Sequence, residues 1–134
     1  MKIKSNEVEV NASQETIFNL LKDPSNLHFI LPKDKISEWK SNENECSFKV
    51  QNGVVTISLI QNGSEGFEKI HMKSGEKSPF PFTLSIIINK SINGSKGFLE
   101  FDGEVNMFLK MMVEKPLNQL FNDMATHLQK HFEN

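Results

Sequence analysis

The order of elements predicts an α+β fold, a curved antiparallel sheet of six to seven strands wrapped around a long C-terminal helix. Three observations point to it. A short alternating strand at Val8 to Val10 runs directly into a helix. Hairpin-like segments then fill the middle of the chain from Ile36 to Met107. An apolar stripe at helical spacing closes it, from Pro116 to Phe132. Such a sheet cannot bury one apolar face alone, and an amphipathic helix across its concave side solves the problem. No repeat or linker divides the chain, so residues 1–134 are read as one domain.

Each element has a local signal. Val8 and Val10 alternate with Glu7, Glu9 and Asn11, the period of a half-buried strand. Ser13 is a good N-cap, Glu15 complements the positive helix end, and Ile17, Leu20 and Leu21 form the buried stripe. Asp23-Pro24 stops this helix, and Ser25 to Leu31 reads as a second short one ended by Pro32. Strands follow at Ile36 to Lys40, Cys46 to Val50, Val54 to Ile60 and Phe67 to Lys73. Asn52-Gly53 marks a two-residue hairpin, and Asn62 to Gly66 a longer turn. Two prolines make Ser74 to Pro81 a loop. Phe82 to Asn89 and Phe98 to Met107 are the last strands, with Gly103 suggesting a bulge or bend. Pro116 is placed in the first turn of the final helix. Leu117, Leu120, Phe121, Met124, Leu128 and Phe132 share one face of it.

Composition narrows the partners. All 15 basic residues are lysine, and the net charge is -2. Without arginine forks or a positive field, nucleic acid is not an expected partner. No apolar run approaches the roughly 20 residues that span a bilayer. The start of the chain is charged and alternating, with no apolar signal core, and Cys46 is the only cysteine. These features predict a cytoplasmic protein with no membrane span.

The segment Val8 to Pro32 carries a family likeness. A strand, the cap Asn11-Ala-Ser13, the helix Gln14-Glu-Thr-Ile-Phe-Asn-Leu-Leu21 and then Asp23-Pro-Ser-Asn-Leu27 resemble the opening of many bacterial START-like (SRPBCC, helix-grip) proteins. This superfamily includes birch pollen allergen-like proteins and polyketide cyclases. Strand succession and terminal helix extend the resemblance over essentially the whole chain. It implies a cavity between sheet and C-terminal helix that takes a hydrophobic ligand. It says almost nothing about which one. The two-histidine, one-carboxylate iron motif of the dioxygenase branch is not matched.

Candidate cavity-lining residues are Trp39, Phe48, Phe82, Leu84, Phe101, Met107, Leu117, Phe121 and Met124. Methionine would let such a cavity adapt to its contents. The same spacing fits plain core packing. His28 and Glu38 are candidate polar groups at the cavity mouth. The helix Ser25 to Leu31 and the loop Gly75 to Pro81 border the expected opening as gates.

Other constellations have simpler readings. Asp123, His127 and His131 stand at successive i, i+4 positions, which suits a metal, but also a polar flank beside the apolar stripe. His71 falls on the solvent side of its strand, without a carboxylate partner visible in the sequence. Glu100, Asp102 and Glu104 look like paired carboxylates, yet match the outer face of a strand. Cys46 reads as a small buried hydrophobe. No phosphate-binding loop or nucleophile elbow is present, and neither cofactor nor metal is expected.

The expected function is binding of a hydrophobic or lipid-like small molecule by a monomer or weak dimer. The alternatives are a cyclase- or dehydratase-like enzyme using the same cavity, which requires His28 or Glu38 to point inward, and a protein-interaction module. The last predicts a filled core and an exposed apolar patch.

Overall fold

A computed structural model describes residues 1–50 and 53–133. Among these described residues eight strands form an antiparallel sheet: β1 (Lys2–Lys4), β2 (Val8–Val10), β3 (Ser37–Ser41), β4 (Glu45–Val50), β5 (Val55–Glu65), β6 (Lys69–Ser74), β7 (Phe82–Ser91) and β8 (Gly94–Gly103). Helix α1 (Gln14–Leu21) and a 3₁₀ turn (Pro24–Phe29) follow β2, and helix α2 (Met107–His131) ends the fold. The α+β architecture is the one the element order predicts.

Sheet order is β1-β8-β7-β6-β5-β4-β3, with β2 also pairing to β8. Strand β1 is the element too short to stand out in sequence. It and β2 lie along β8 as one interrupted edge strand, with Ser5 between them. The Ser5 amide donates to the Leu99 carbonyl at 2.9 Å, and the Ser5 hydroxyl accepts from the Leu99 amide at 2.8 Å. The buried hydroxyl is therefore satisfied where the ladder breaks.

The alternation of each strand sends one side inward. Cys46, Phe48 and Val50 of β4, Ile70 and Met72 of β6, and Leu84, Ile86 and Ile88 of β7 are all buried. Helix α2 adds Val113, Leu117, Leu120, Phe121, Met124, Ala125 and Leu128. Each large apolar side chain contributes about 1.5–3 kcal/mol on burial. Gly97 lets the helix approach β8 closely, since a Cβ there would lie 3.1 Å from Leu128 Cδ2.

Several boundaries differ from the sequence reading. Strand β8 stops at Gly103, and α2 begins at Met107, well before the predicted start at Pro116. Asn106 caps it, its side-chain oxygen accepting from the Leu109 amide at 2.9 Å. A strong cap outweighs a proline that lies inside the helix and removes one backbone donor. Strand β5 runs through the expected turn to Glu65 by way of a bulge. The stretch from Gln61 to Ser64 faces the shorter one from Met72 to Ile70, and Gly63 takes φ +88°. Phe67 precedes β6 instead of starting it, and its ring packs edge-on against Phe18 at 5.2 Å. The predicted Asn52-Gly53 turn falls partly outside the described residues; Gly53 has the positive φ, +85°, that such a turn uses.

Candidate functional site

The predicted cavity-lining aromatics come together in the concave core, in contact with one another. Ring centroids lie 5.0 Å apart for Phe82 and Phe101, and 5.3 Å for Phe101 and Phe121. Phe80, from the β6–β7 loop, closes the cluster edge-on at 5.9 Å from Phe82. Leu84, Leu117 and Met124 are buried in the same core. Phe48 is buried on β4, with half-buried Trp39 stacked at 6.2 Å. These groups belong to one hydrophobic core.

Met107 is not among them. It opens α2 and is 73% exposed, because the strand expected to carry it inward ends at Gly103. Phe108 and Met111 share its exposure, so the first turns of α2 present an apolar surface.

Of the two proposed polar mouth groups, Glu38 turns away from the core. One extra residue between Ser37 and Lys40 makes a bulge in β3, and Glu38 sits there at φ +52°. Its carboxylate turns to solvent and pairs with Lys49 at 2.7 Å, a hydrogen bond that holds its pKa below the usual range. His28 is half-buried, its Nδ1 2.8 Å from the Ser25 carbonyl and its ring beside Phe29 and Trp39. The loop at residues 75–81 is pinned: Ser78 Oγ accepts from the Ser58 amide at 2.9 Å and donates to the Ser58 carbonyl at 3.1 Å.

An opening with an apolar floor lies at the junction of α2 and β4. This cleft has a volume of about 380 Å³, at the small end of ligand sites. Pro32, Val50, Pro116 and Leu120 make the floor. Asp34, Lys35, Lys115, Gln119 and Asp123 make the rim. Four larger openings, of about 560, 530, 450 and 410 Å³, lie elsewhere on the sheet, and the largest is lined by Val10 and Ile92 as well as by charged and polar groups. Volume therefore does not select the site; this cleft is taken up because two buried core residues, Val50 and Leu120, lie in its lining beside two prolines. Leu120 was legible from the helix stripe. Lys35 was not, because it meets Asp123 across 88 residues of sequence.

The Asp123, His127 and His131 row does converge, but on the segment beside this cleft. Asp123 Oδ2 accepts from Lys35 Nζ at 2.8 Å. His127 Nδ1 donates to the Ile30 carbonyl at 3.2 Å. His131 packs on the Phe29 ring, centroids 5.3 Å apart. Among the described residues no group of three or more His, Cys, Asp or Glu side chains is placed to hold a metal.

On the outer face His71 finds the carboxylate that sequence did not reveal. Its Nε2 lies 2.6 Å from Glu65 Oε2, and its Nδ1 2.8 Å from Ser85 Oγ. The bulge in β5 brings Glu65 there. This chain of contacts resembles a nucleophile–base pair, but Ser85 sits within β7, between β6 and β8. Backbone donors in such a central strand are committed to its ladders, which leaves no converging pair to stabilise an oxyanion. Glu100 and Asp102 likewise stand opposite Lys4 and Lys2 on the solvated side. Burial pushes the Cys46 thiol up to about 12, so no thiolate nucleophile forms near neutral pH.

The family profile of CoxG, the G subunit of carbon monoxide dehydrogenase, matches residues 7–134. The chain belongs to this family. The CoxG family shares the START-like fold, and proteins of that fold generally hold hydrophobic ligands. No curated protein sequence gives a significant match. Among solved structures, a START superfamily protein from Mycobacterium smegmatis aligns at TM-score 0.73 and 16% identity, covering 98% of this chain and 96% of that one. The protein XoxI from Bacillus cereus aligns at TM-score 0.72 and 15% identity, covering 98% and 94%. A protein from Thermus thermophilus aligns at TM-score 0.72 and 13% identity, covering 98% and 97%. At these identities the structures define a shared fold for this CoxG family member. No helix among its described residues is long and apolar enough to cross a membrane.

Proposed function

We propose that this chain binds a hydrophobic or lipid-like small molecule, entering at the cleft between α2, β4 and the loop after Leu31. The observation that carries the reading is the apolar floor of Pro32, Val50, Pro116 and Leu120 inside a charged rim. Such a floor rewards an apolar group by about 25 cal/mol per Å² buried, before the costs of association. The rim would orient a polar end. Because the aromatic cluster behind the floor is packed, a long ligand must displace side chains to go deeper; Met72, Met112 and Met124, at or against the core, are suited to such repacking.

Native mass spectrometry of gently purified protein, with organic extraction, tests this reading. A reproducible extra mass that disappears on extraction supports it and reveals the ligand class. A bare mass in repeated preparations, with no uptake of an apolar dye, contradicts it.

Two observations bear on the alternatives. The enzymatic reading needs His28 or Glu38 inside the cavity; Glu38 pairs with Lys49 at the surface, and half-buried His28 has its ring against Trp39. The interaction reading is favoured by the packed aromatic cluster and by the exposed Met107, Phe108 and Met111. That reading predicts a partner protein whose binding is lost when Phe108 and Met111 become serine.

A further inference from the structure

The Asp123, His127 and His131 row takes part in no step of the binding reading, yet all three side chains touch residues 29–35. The contacts fall on two unlike parts of that segment. Ile30 and Leu31 are buried and anchored in the core. Lys33, Asp34 and Lys35 are exposed, and the turn they form is closed by the Lys35 amide donating to the Pro32 carbonyl at 2.9 Å. Asp34 and Lys35 line one wall of the cleft, while Lys115, Gln119 and Asp123 of α2 line the other. The Lys35–Asp123 ion pair therefore spans the opening. One turn further along α2, His127 holds the Ile30 carbonyl, three residues before Lys33, where the exposed part of the segment begins.

We propose that the exposed turn at residues 33–35 is a flap over the cleft, latched by Lys35 to Asp123 and held at its base where His127 bonds the Ile30 carbonyl. This rests on the reading of the cleft as the ligand entrance. The latch joins two solvent-accessible side chains, so it is weak enough to open thermally and is screened by salt. The contact at the base is a hydrogen bond to a carbonyl of a buried residue, so it persists while the latch opens. Opening exposes the apolar floor without unfolding Leu27, Ile30 or Leu31, which keep the segment seated.

The test compares wild type, Lys35→Asp, Asp123→Lys and the charge-swapped double variant. Two readouts are used: amide hydrogen exchange over residues 33–36, and the dissociation rate of Nile red. The dye is neutral, so the substitutions do not act on it through its charge. Each single variant is expected to raise exchange at 33–36 and speed dye release by about 1.5-fold to fivefold, the range of weak ion pairs expressed as a rate. The double variant restores both. His127→Phe is expected to spread the faster exchange to residues 30 and 31. Unchanged exchange in the single variants overturns the latch. Faster exchange with unchanged dye release overturns its gating role. If exchange rises and is rescued but no variant binds the dye, the flap stands and the ligand reading falls.

Discussion

Helix α2 holds two apolar regions with opposite surroundings. Between residues 113 and 128 its large apolar side chains are buried against the sheet. Between residues 107 and 111, Met107, Phe108 and Met111 face solvent, with Phe108 at 73% and Met111 at 81% exposed, while Leu109 packs against the core. The cleft, with Pro116 in its floor, opens near the boundary. Where the sheet offers a concave face, apolar residues become core. Where α2 has no sheet beneath it they have nothing to pack against, and the boundary between the two regimes is where an apolar floor meets solvent.

The comparison is broken most severely in the buried half. Phe121→Ala removes the ring that joins α2 to Phe101 and is expected to cost about 3–5 kcal/mol, read as a fall in the urea midpoint. Gly97→Val forces atoms into the 3.1 Å approach of Leu128 and is expected to cost about 1–3 kcal/mol in the same assay. Pro116→Ala returns a backbone donor to the helix interior and is expected to stabilise by about 1 kcal/mol or more. A loss of stability there would mean that the proline ring's contacts outweigh the missing hydrogen bond. In the exposed half, Phe108→Ser with Met111→Ser is expected to change stability by less than about 0.5 kcal/mol per site.

Cys46 sharpens the same contrast through pH. Its thiol is raised from 9.0 to about 12 by burial, with a further push from Glu45. The unfolded chain ionises first as pH rises, so the native state loses stability from about pH 9 toward about 12. Native protein at pH 8 is expected to resist iodoacetamide and to react once urea unfolds it. Rapid native alkylation would mean that β4 opens locally.

Much of this was legible in the sequence, for physical reasons. Alternation in Cys46, Phe48 and Val50 and the stripe from Leu117 to Leu128 are periodic signals that packing reinforces. Met107 was misplaced because apolar residues after a strand look like more strand. Only Asn106, a residue type that caps helices, announces the helix that begins there. Glu38 and Glu65 were unreadable because bulges, each a single extra residue, decide which way they turn. The Lys35–Asp123 contact has no local signal, since the fold alone brings its two elements together.

The central claim is that the cleft, and not the exposed start of α2, receives an apolar ligand. Nile red titrations of wild type, Gln119→Trp and the Phe108→Ser, Met111→Ser double variant test it most directly. Gln119 is an exposed rim residue, so an indole there covers the floor at little cost to folding. The account predicts saturable, blue-shifted fluorescence in wild type and in the double-serine variant, and its loss in Gln119→Trp. Undiminished binding in Gln119→Trp together with loss in the double-serine variant would contradict it and place the apolar contact at the start of the helix.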